Sequence, residues 1–485
     1  MLQIEQTLPL SVYGGIYDAV VPKDHRLRKA YELMDFSFIR RELKSKYCQN
    51  NGRNAQDPVR MFKYLFLKTV YDLSDVGVVE RSMTDMSFKF FLDMRPEDPV
   101  INPSTLTKFR KMRLSDDDLM NKLLSKTVAV ALEKGVITGS TIMVDSTHSR
   151  SRCNPMAPVD ILRLRLEQLR HALCEVRSDI KGLLPEEDPD GSLEHEITYA
   201  YSLISFVQGD EGLLLMPAVK ERLDILLETL DDISDHYTSS RKDGDARVGH
   251  KTRDTEFFGY KTHEAMTPEG IITAAVVTSG EAADGPQLKK LVEDTRAAGV
   301  KVDTVIGDGA YSGDANLKIA ADTDSPFSLV SPVNPMLQGG NLEKDDGFQY
   351  NKDANSCVCP AGHLALSART VKYKEGKGND RAIFTFDKSR CAVCARRLEC
   401  MGDGKCEKTY SVSIRTKEQE AQIAFQKTEA FKSQAKQRYK IEARFSHLKN
   451  IYGYARAKSY GLDGMIMQAA LTMFTANVMK MVTLL

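Results

Sequence analysis

Between Phe257 and Pro332 the spacing of apolar residues changes, and that change limits the possible folds more than any other feature of the chain. Upstream, apolar residues recur at helical intervals; here they gather into short runs rich in β-branched side chains. FFGYKTHEAM and GIITAAVVTSG read as two strands split by the turn TPEG, a hairpin signal. GPQLKKLVEDTRAAG follows as a helix ended by glycine, KVDTVIGD as a strand, and FSLVSP (327–332) as another. Well upstream, Ile142-Met143-Val144 is one more apolar run. Strand, strand, strand, helix, strand is the order of a mixed sheet opened by a meander, an α/β layer architecture. Two of these runs stop at an aspartate, Asp145 and Asp308. A carboxylate at the tip of an apolar strand is costly to bury unless a cation meets it. The carboxyl ends of strands are also where such sheets build their sites.

The remaining segments read as helices and insertions around that sheet. The 485 residues suffice for two to four domains, on a prior of roughly 100–200 residues each. Residues 1–135 carry repeated helix signals: Asp57-Pro58 before VRMFKYLFLKTVYDL, Ser74 before DVGVVERSM, and Pro103-Ser104 before TLTKFRKM. Short helices with outward Arg and Lys suit a helix-turn-helix-like DNA-binding domain, and a plain helical bundle would look the same. Residues 136–485 hold the sheet and two insertions. In the first, 155–242, Val159 to Val176 and Val219 to Ile233 keep helical spacing on either side of LLPEEDPDGS, which predicts an antiparallel helical hairpin used for packing. The second, 340–410, is low in apolar residues and rich in cysteine. Helical periodicity returns after it and ends in GLDGMIMQAALTMFTANVMKMVTLL, read as a buried helix too interrupted by polar residues to span a bilayer.

Composition sets the compartment and leaves the partner open. A hydrophobic share of 42% and a charged share of 28% are ordinary for a soluble globular protein. The opening MLQIEQTLPLSVYGG lacks the basic-then-apolar pattern of a signal peptide, and no window of about 18 residues is uninterruptedly apolar. The expectation is a cytoplasmic protein without a membrane span, its nine cysteines reduced. Net charge is zero, but Lys405 to Lys458 is basic, with Tyr439, Phe445, Tyr452 and Tyr454 interleaved. That mixture marks either a nucleic-acid face or a solvated helix surface.

Strand-end carboxylates in such a protein point to divalent metal. Mg²⁺ takes oxygen ligands, commonly one or two carboxylates with water and substrate phosphate. Two such ions roughly 3.5–4 Å apart stabilise the attacking and leaving oxygens of an in-line phosphoryl displacement. Asp145 and Asp308 would anchor the pair. Glu442 is the best third carboxylate, on a helix where Arg438 and Lys449 recur at helical spacing. Asp245 and Asp314 are weaker rivals, because neither sits at a convincing strand tip. A single aspartate before glycine is otherwise an ordinary turn residue.

VDSTH around Asp145, GDGAYSG around Asp308 and Arg438-x3-Glu442-x6-Lys449 together resemble the DDE transposases of bacterial insertion sequences, in particular the group with a Tyr-Arg-Glu-Lys signature. DFSFIRRELKSKYCQNNGRNAQDPVRMFKYLFL, FFLDMRP and PSTLTKFR resemble that group's helical N-terminal domain, and DARVGHKT with FFGYKTHEAM matches the run before the second aspartate. The resemblance covers nearly the whole chain. It implies a ribonuclease H-like core in which Asp145, Asp308 and Glu442 bind two Mg²⁺, or Mn²⁺, and catalyse strand cleavage and strand transfer. It implies double-stranded DNA as partner, both the element's inverted repeats and the target, and a homodimer in the DNA complex, associated with the nucleoid when bound. Arg438 and Lys449 would contact phosphates, which position DNA without reading sequence. Lys261 and His263 could touch the backbone, His263 being equally well structural. His148 reads as a hydrogen-bonding residue rather than a general base, since a two-metal site needs none. One departure stands out: the signature's tyrosine position holds Ala435, with Tyr439 out of register. A catalytically inactive DNA-binding regulator derived from a transposase, and a nuclease without joining activity, are the competing readings.

Six cysteines lie between Cys357 and Cys406. Paired short spacings suit tetrahedral zinc, and the expected site is Cys357, Cys359, Cys391 and Cys394, with Cys400 or His363 as substitutes. A segment so poor in apolar residues would need the metal for its folding energy. Cys48, Cys153 and Cys174 read as packing residues.

Overall fold

Six strands form one mixed sheet: β1 (Thr141–Arg150), β2 (Arg247–Thr252), β3 (Thr255–Met266), β4 (Ile272–Ser279), β5 (Thr304–Ile306) and β6 (Ser328–Val330). The computed structural model describes residue 13 and residues 15–47, 55–114, 118–153, 156–185, 192–233, 243–252, 255–333, 346–351, 354–372, 379–401 and 407–485. Strand β3 organises the sheet. It pairs antiparallel with β1 along one edge, and with β2 and then β4 along its first and second halves. β1 pairs in parallel with β5, and β5 with β6. The hairpin between β3 and β4 is as expected, its turn closed by Gly270 N donating to Thr267 O, with Gly270 at φ 90°. DARVGHKT is a strand of its own, β2, which its glycine had obscured.

β1 does not stop at Asp145. Pairing with β5 ends at Met143, but pairing with β3 runs on to Arg150, so the aspartate lies mid-strand where one neighbour has fallen away. That gap gives a carboxylate access from within a strand. Close packing along this edge demands glycine. A Cβ on Gly259 would run into the carbonyl oxygen of Ser149, backbone that has no room to yield. Gly259→Ala is expected to cost about 1–3 kcal/mol through overpacking, read from the urea midpoint; an unchanged midpoint would mean that the two strands can separate freely.

Eight α-helices of five or more residues precede β1, from Ile16–Val20 to Leu119–Glu133. The Asp57-Pro58 signal holds, with Asp57 Oδ1 accepting from Val59 N at 3.1 Å, and so does Ser74, whose Oγ accepts from Gly77 N. The helix at Pro103 is capped by Asn102, whose Oδ1 accepts from Ser104 N at 2.9 Å. These helices do not keep a separate core. Phe62, Phe66 and Phe91 pack in the same apolar cluster as Met143, Tyr260 and Met266 of the sheet. Phe474 of the last helix, Leu462–Leu484, stacks among Phe36, Phe38 and Phe62. That helix is long and apolar enough to cross a bilayer, contrary to the expectation from its polar interruptions, yet most of it is buried inside the protein. The polar residues have interior partners: Asn477 accepts from Ile272 N and donates to Ile272 O and Thr127 Oγ1.

The first insertion is not a two-helix hairpin. A third long helix, Leu193–Gln208, stands between Pro158–Val176 and Pro217–Ile233, and the three share a core of their own that includes Leu169, Leu203 and Leu226. The acidic linker 186–191 lies outside the described residues. The cysteine-rich insertion also differs from expectation. β7 (Gln349–Asn351) pairs with β8 (Ser356–Val358), and β9 (Ser367–Val371), β10 (Arg381–Thr385) and β11 (Thr409–Ser413) form a second small sheet. Phe384, Phe386, Tyr410 and Val412 close an apolar cluster there, so burial does contribute to holding this segment together.

Candidate active site

Asp145, Glu442 and Arg438 meet at the point where β1 loses its β5 neighbour. Arg438 closes the 3-10 turn Lys436–Arg438, and the helix Tyr439–Ile451 begins immediately after it. Its guanidinium donates from Nη1 to Asp145 Oδ2 at 2.9 Å and from Nη2 to Glu442 Oε1 at 2.5 Å. One arginine thus ties a strand carboxylate to a helix carboxylate one turn away. In this structure Arg438 is the counter-ion of both carboxylates. Asp145 is the enclosed partner at 13% side-chain exposure, Glu442 the open one at 52%. Burial pushes the Asp145 carboxyl up to about 6; the Ser146 N–H and Arg438 oppose the rise, and Asp308 and Asp284 add to it.

Asp308 follows β5 and has a turn role as well. Its Oδ1 accepts from Ala310 N at 2.9 Å, capping the single turn Gly309–Tyr311. Burial raises its carboxyl, the Ala310 N–H opposes, and Asp284 raises it further. Tyr311 of the GDGAYSG motif is buried with its hydroxyl unpartnered; burial and then Asp284, Asp145 and Asp308 hold it well above a phenol's usual range. A phenol beside the carboxylates therefore comes from this motif. Ala435, at the end of the helix Glu429–Ala435, supplies none, and Tyr439 is largely exposed.

Two further carboxylates belong to the site and escape a reading of the sequence. Asp284, in the turn after β4, stands 3.3 Å from Lys261 Nζ and 3.3 Å from His263 Nδ1. Burial would raise it, but His263, Lys261 and Ser146 hold it below the usual carboxylate range. Glu264 is opposite Asp145 in the register of β1 and β3, fully buried, with both carboxylate oxygens unpartnered. Burial pushes it up to about 8 against the pull of Arg444. An acid before Gly-Pro looks like any turn cap, and an acid inside an apolar strand has no motif, so only the pairing of β3 with β1 and with β4 reveals either one.

Lys261 and His263 do not face outward. His263 is completely buried, its Nε2 3.0 Å from Thr278 Oγ1, so it cannot contact a DNA backbone. Lys261 donates to Ala282 O at 2.8 Å beside Asp284. His148 lies against the Phe257 ring and is pushed down to about 4 by burial and by Lys449, Lys251, Arg150 and Lys261, which leaves it neutral at pH 7. The rival carboxylates have structural work. Asp245 Oδ2 accepts from Leu462 N at the start of the last helix, and Asp314 accepts from Gln419 Nε2. Phe445, Tyr452 and Tyr454 are buried core residues rather than a stacking surface.

In the second insertion Cys359, His363, Cys391, Cys394 and Cys400 line one pocket. Cys357 is fully buried in the apolar cluster instead, its thiol pushed up to about 11 by burial, so Cys400 rather than Cys357 accompanies the other three. Cys48 and Cys406 lie outside the described residues. Among the described residues, no three His, Cys, Asp or Glu side chains are gathered tightly enough to hold one ion. The chemistry around Asp145 nonetheless fits a hard cation: the donors are all oxygen, burial raises the carboxyls of Asp145 and Asp308, and Arg438 already brings a positive charge between Asp145 and Glu442.

Two family models match the chain, a transposase domain (DUF772) over residues 16–112 and a transposase DDE domain over residues 358–482. Both matched stretches are transposase domains, the second of the DDE type. The DDE match takes in Arg438, Glu442 and Lys449 of this chain and begins after Asp145 and Asp308. No curated protein matches the chain. Among solved structures it is similar to the cryo-EM structure of piggyBac transposase synaptic complex with hairpin DNA, at 9% identity over 93% of this chain and 73% of that chain, with a TM-score of 0.29.

Proposed function

We propose that this protein binds the terminal inverted repeats of a bacterial insertion sequence and catalyses Mg²⁺-dependent strand cleavage and strand transfer. The observation that carries the proposal is the joint tie of Asp145 and Glu442 to Arg438, with Asp308 close enough to raise Asp145 electrostatically. The strand order and directions from β4 through β6 support a ribonuclease H-like core, into which 155–242 and 340–410 are inserted. Residues 1–135 would serve DNA binding and 136–485 catalysis, although both share one apolar core.

Asp145, Asp308 and Glu442 would hold two Mg²⁺, or Mn²⁺, which when bound polarise phosphoryl oxygen and lower the pKa of bound water. The chain's own residues do the rest. β1 and β5 fix the two aspartates on neighbouring strands, and the helix Tyr439–Ile451 carries Glu442 toward them. Arg438 neutralises Asp145 and Glu442 here, and with metal held by those carboxylates it would be free to contact the phosphate of a strand. Asp284 keeps Lys261 and His263 in place beneath Asp308. His148, packed on Phe257, is a neutral imidazole at pH 7 and so lacks the imidazolium proton of a general acid. Two DNA ends must be joined in one event, which favours a homodimer in the DNA complex, in the cytoplasm at the nucleoid.

The test uses a labelled duplex bearing the imperfect repeat that flanks the reading frame, with Mg²⁺ and with EDTA. Metal-dependent nicking that leaves a 3′ hydroxyl, followed by joining to a second duplex, is the expected result. Binding without nicking would replace the reading with an inactive regulator, and nicking without joining with a plain nuclease.

For the cysteine pocket the proposal is one structural Zn²⁺ on Cys359, Cys391, Cys394 and Cys400, thiolates being its preferred soft donors. Purified protein is expected to carry about one zinc per chain, lost in Cys394→Ser, since three ligands bind far more weakly than four. Wild-type protein free of zinc after purification in zinc-supplemented medium would rule this out.

A further inference from the structure

Around the far end of β1 stand cations that form no ion pair among the described residues. Arg150, Arg152 and Arg456 sit together at its end, where Arg150 N donates to Ala455 O, Ala457 N to Arg150 O, and Arg456 Nη2 to Arg152 O. Lys251 at the end of β2 and Lys449 in the Glu442 helix crowd the same place, each raising the positive potential at His148. Among the described residues none of these five has an ion pair, although carboxylates elsewhere pair with lysines and arginines throughout the chain. Like charges left together in this way destabilise a fold unless something anionic covers them. Beyond Arg152 the strand leads to a groove of about 1940 Å³ between the N-terminal helices and the last helix, where Lys111 and Lys458 join it and Arg152 lies over the exposed Tyr460 ring.

We propose that this face, from His148 past Arg152 into the groove, is a track for the phosphates of the DNA duplex whose end lies at Asp145. The proposal rests on the DNA-cutting reading above and extends it by naming where the uncut flank runs. The cations come from β1, β2, the Glu442 helix and the loop after it, so they line a path rather than one helix face. Arginine and lysine in exposed positions suit phosphate contact, which gives affinity and register without reading bases.

The experiment uses the full chain and a fluorescein-labelled duplex of 30 base pairs, mixed in sequence, titrated from 50 to 200 mM KCl on the scale where counterion release is read. Arg150→Gln/Arg152→Gln and Lys251→Gln/Arg456→Gln alter exposed side chains, and an unchanged melting temperature checks that both variants fold. Each is expected to bind roughly 10–100-fold more weakly near 100 mM salt and to lower the salt slope by up to about 2, one unit for each phosphate no longer neutralised. Lys289→Gln/Lys290→Gln, on a helix whose lysines already pair with Glu293 and Asp294, is expected to bind like the wild type. Affinity and slope within about twofold of wild type in both track variants would overturn the proposal, as would a loss confined to an RNA duplex of the same sequence. The two readings separate cleanly. Wild-type cutting with unaffected variant binding sinks the track alone; weakened variant binding with no cutting by any protein sinks the cutting reading alone.

Discussion

Asp308→Asn is expected to lower Mg²⁺-dependent end nicking by about 10³-fold or more, because a lost metal carboxylate forfeits several kcal/mol of transition-state stabilisation and each 1.36 kcal/mol is tenfold in rate. The substitution is informative because Asp308 has two jobs. Its Oδ1 accepts from Ala310 N and caps the Gly309–Tyr311 turn. An asparagine carbonyl can accept the same bond, so the turn and the fold are kept and only the charge is removed. Duplex affinity should be unchanged or slightly higher, since an anion has left the vicinity of phosphate. Nicking rates at saturating DNA over a Mg²⁺ series give the number. A residual rate within about tenfold of wild type at every Mg²⁺ concentration would remove Asp308 from the metal site.

The second large effect is on stability. Glu264 is fully buried opposite Asp145, and burial raises its carboxyl from 4.5 to about 8. The folded state therefore holds a proton that the unfolded chain releases above pH 4.5. Stability is fully present below that value and is lost as pH rises through about 8. The loss over the whole window is on the order of 5 kcal/mol at 1.36 kcal/mol per pKa unit. Asp145, raised to about 6, adds to the same trend over its lower part. Urea denaturation at pH 5, 7 and 9 in EDTA measures it. Glu264→Gln, neutral at every pH, is expected to remove most of the slope and to be the more stable protein at pH 9. An undiminished slope in that variant would place the proton elsewhere.

Some of this site is readable because its parts are local. The turn cap at Asp308, the i to i+4 relation of Arg438 and Glu442, and the caps at Asp57 and Ser74 depend only on residues within a turn of one another. Other features resist because they are relations between distant segments. Arg438 reaches Asp145 across 293 positions. Its role as counter-ion cannot be inferred from a helix pattern that equally suits phosphate contact. Glu264 joins the site only through strand register, where a slip of one residue would send its side chain to the other face, and Asp284 only because the turn after β4 brings it to Lys261 and His263. The helix Leu193–Gln208 is hidden because its apolar stripe, Tyr199, Leu203 and Val207, follows an acidic linker that reads as a simple connection.

By itself the amino-acid order determined the N-terminal helices, the strands on either side of the TPEG turn and the last helix, which three carboxylates share the recognisable motifs, and the family to which they point, because these follow from periodicity and short-range spacing. Tertiary structure alone decided that the N-terminal helices and the sheet share one core, that a helix hydrophobic enough for a bilayer is mostly interior, that Cys400 lines the cysteine pocket while Cys357 is buried in the apolar cluster, and that His263 is closed to solvent. Burial and proximity are properties of how elements pack, and packing joins residues that no local pattern connects.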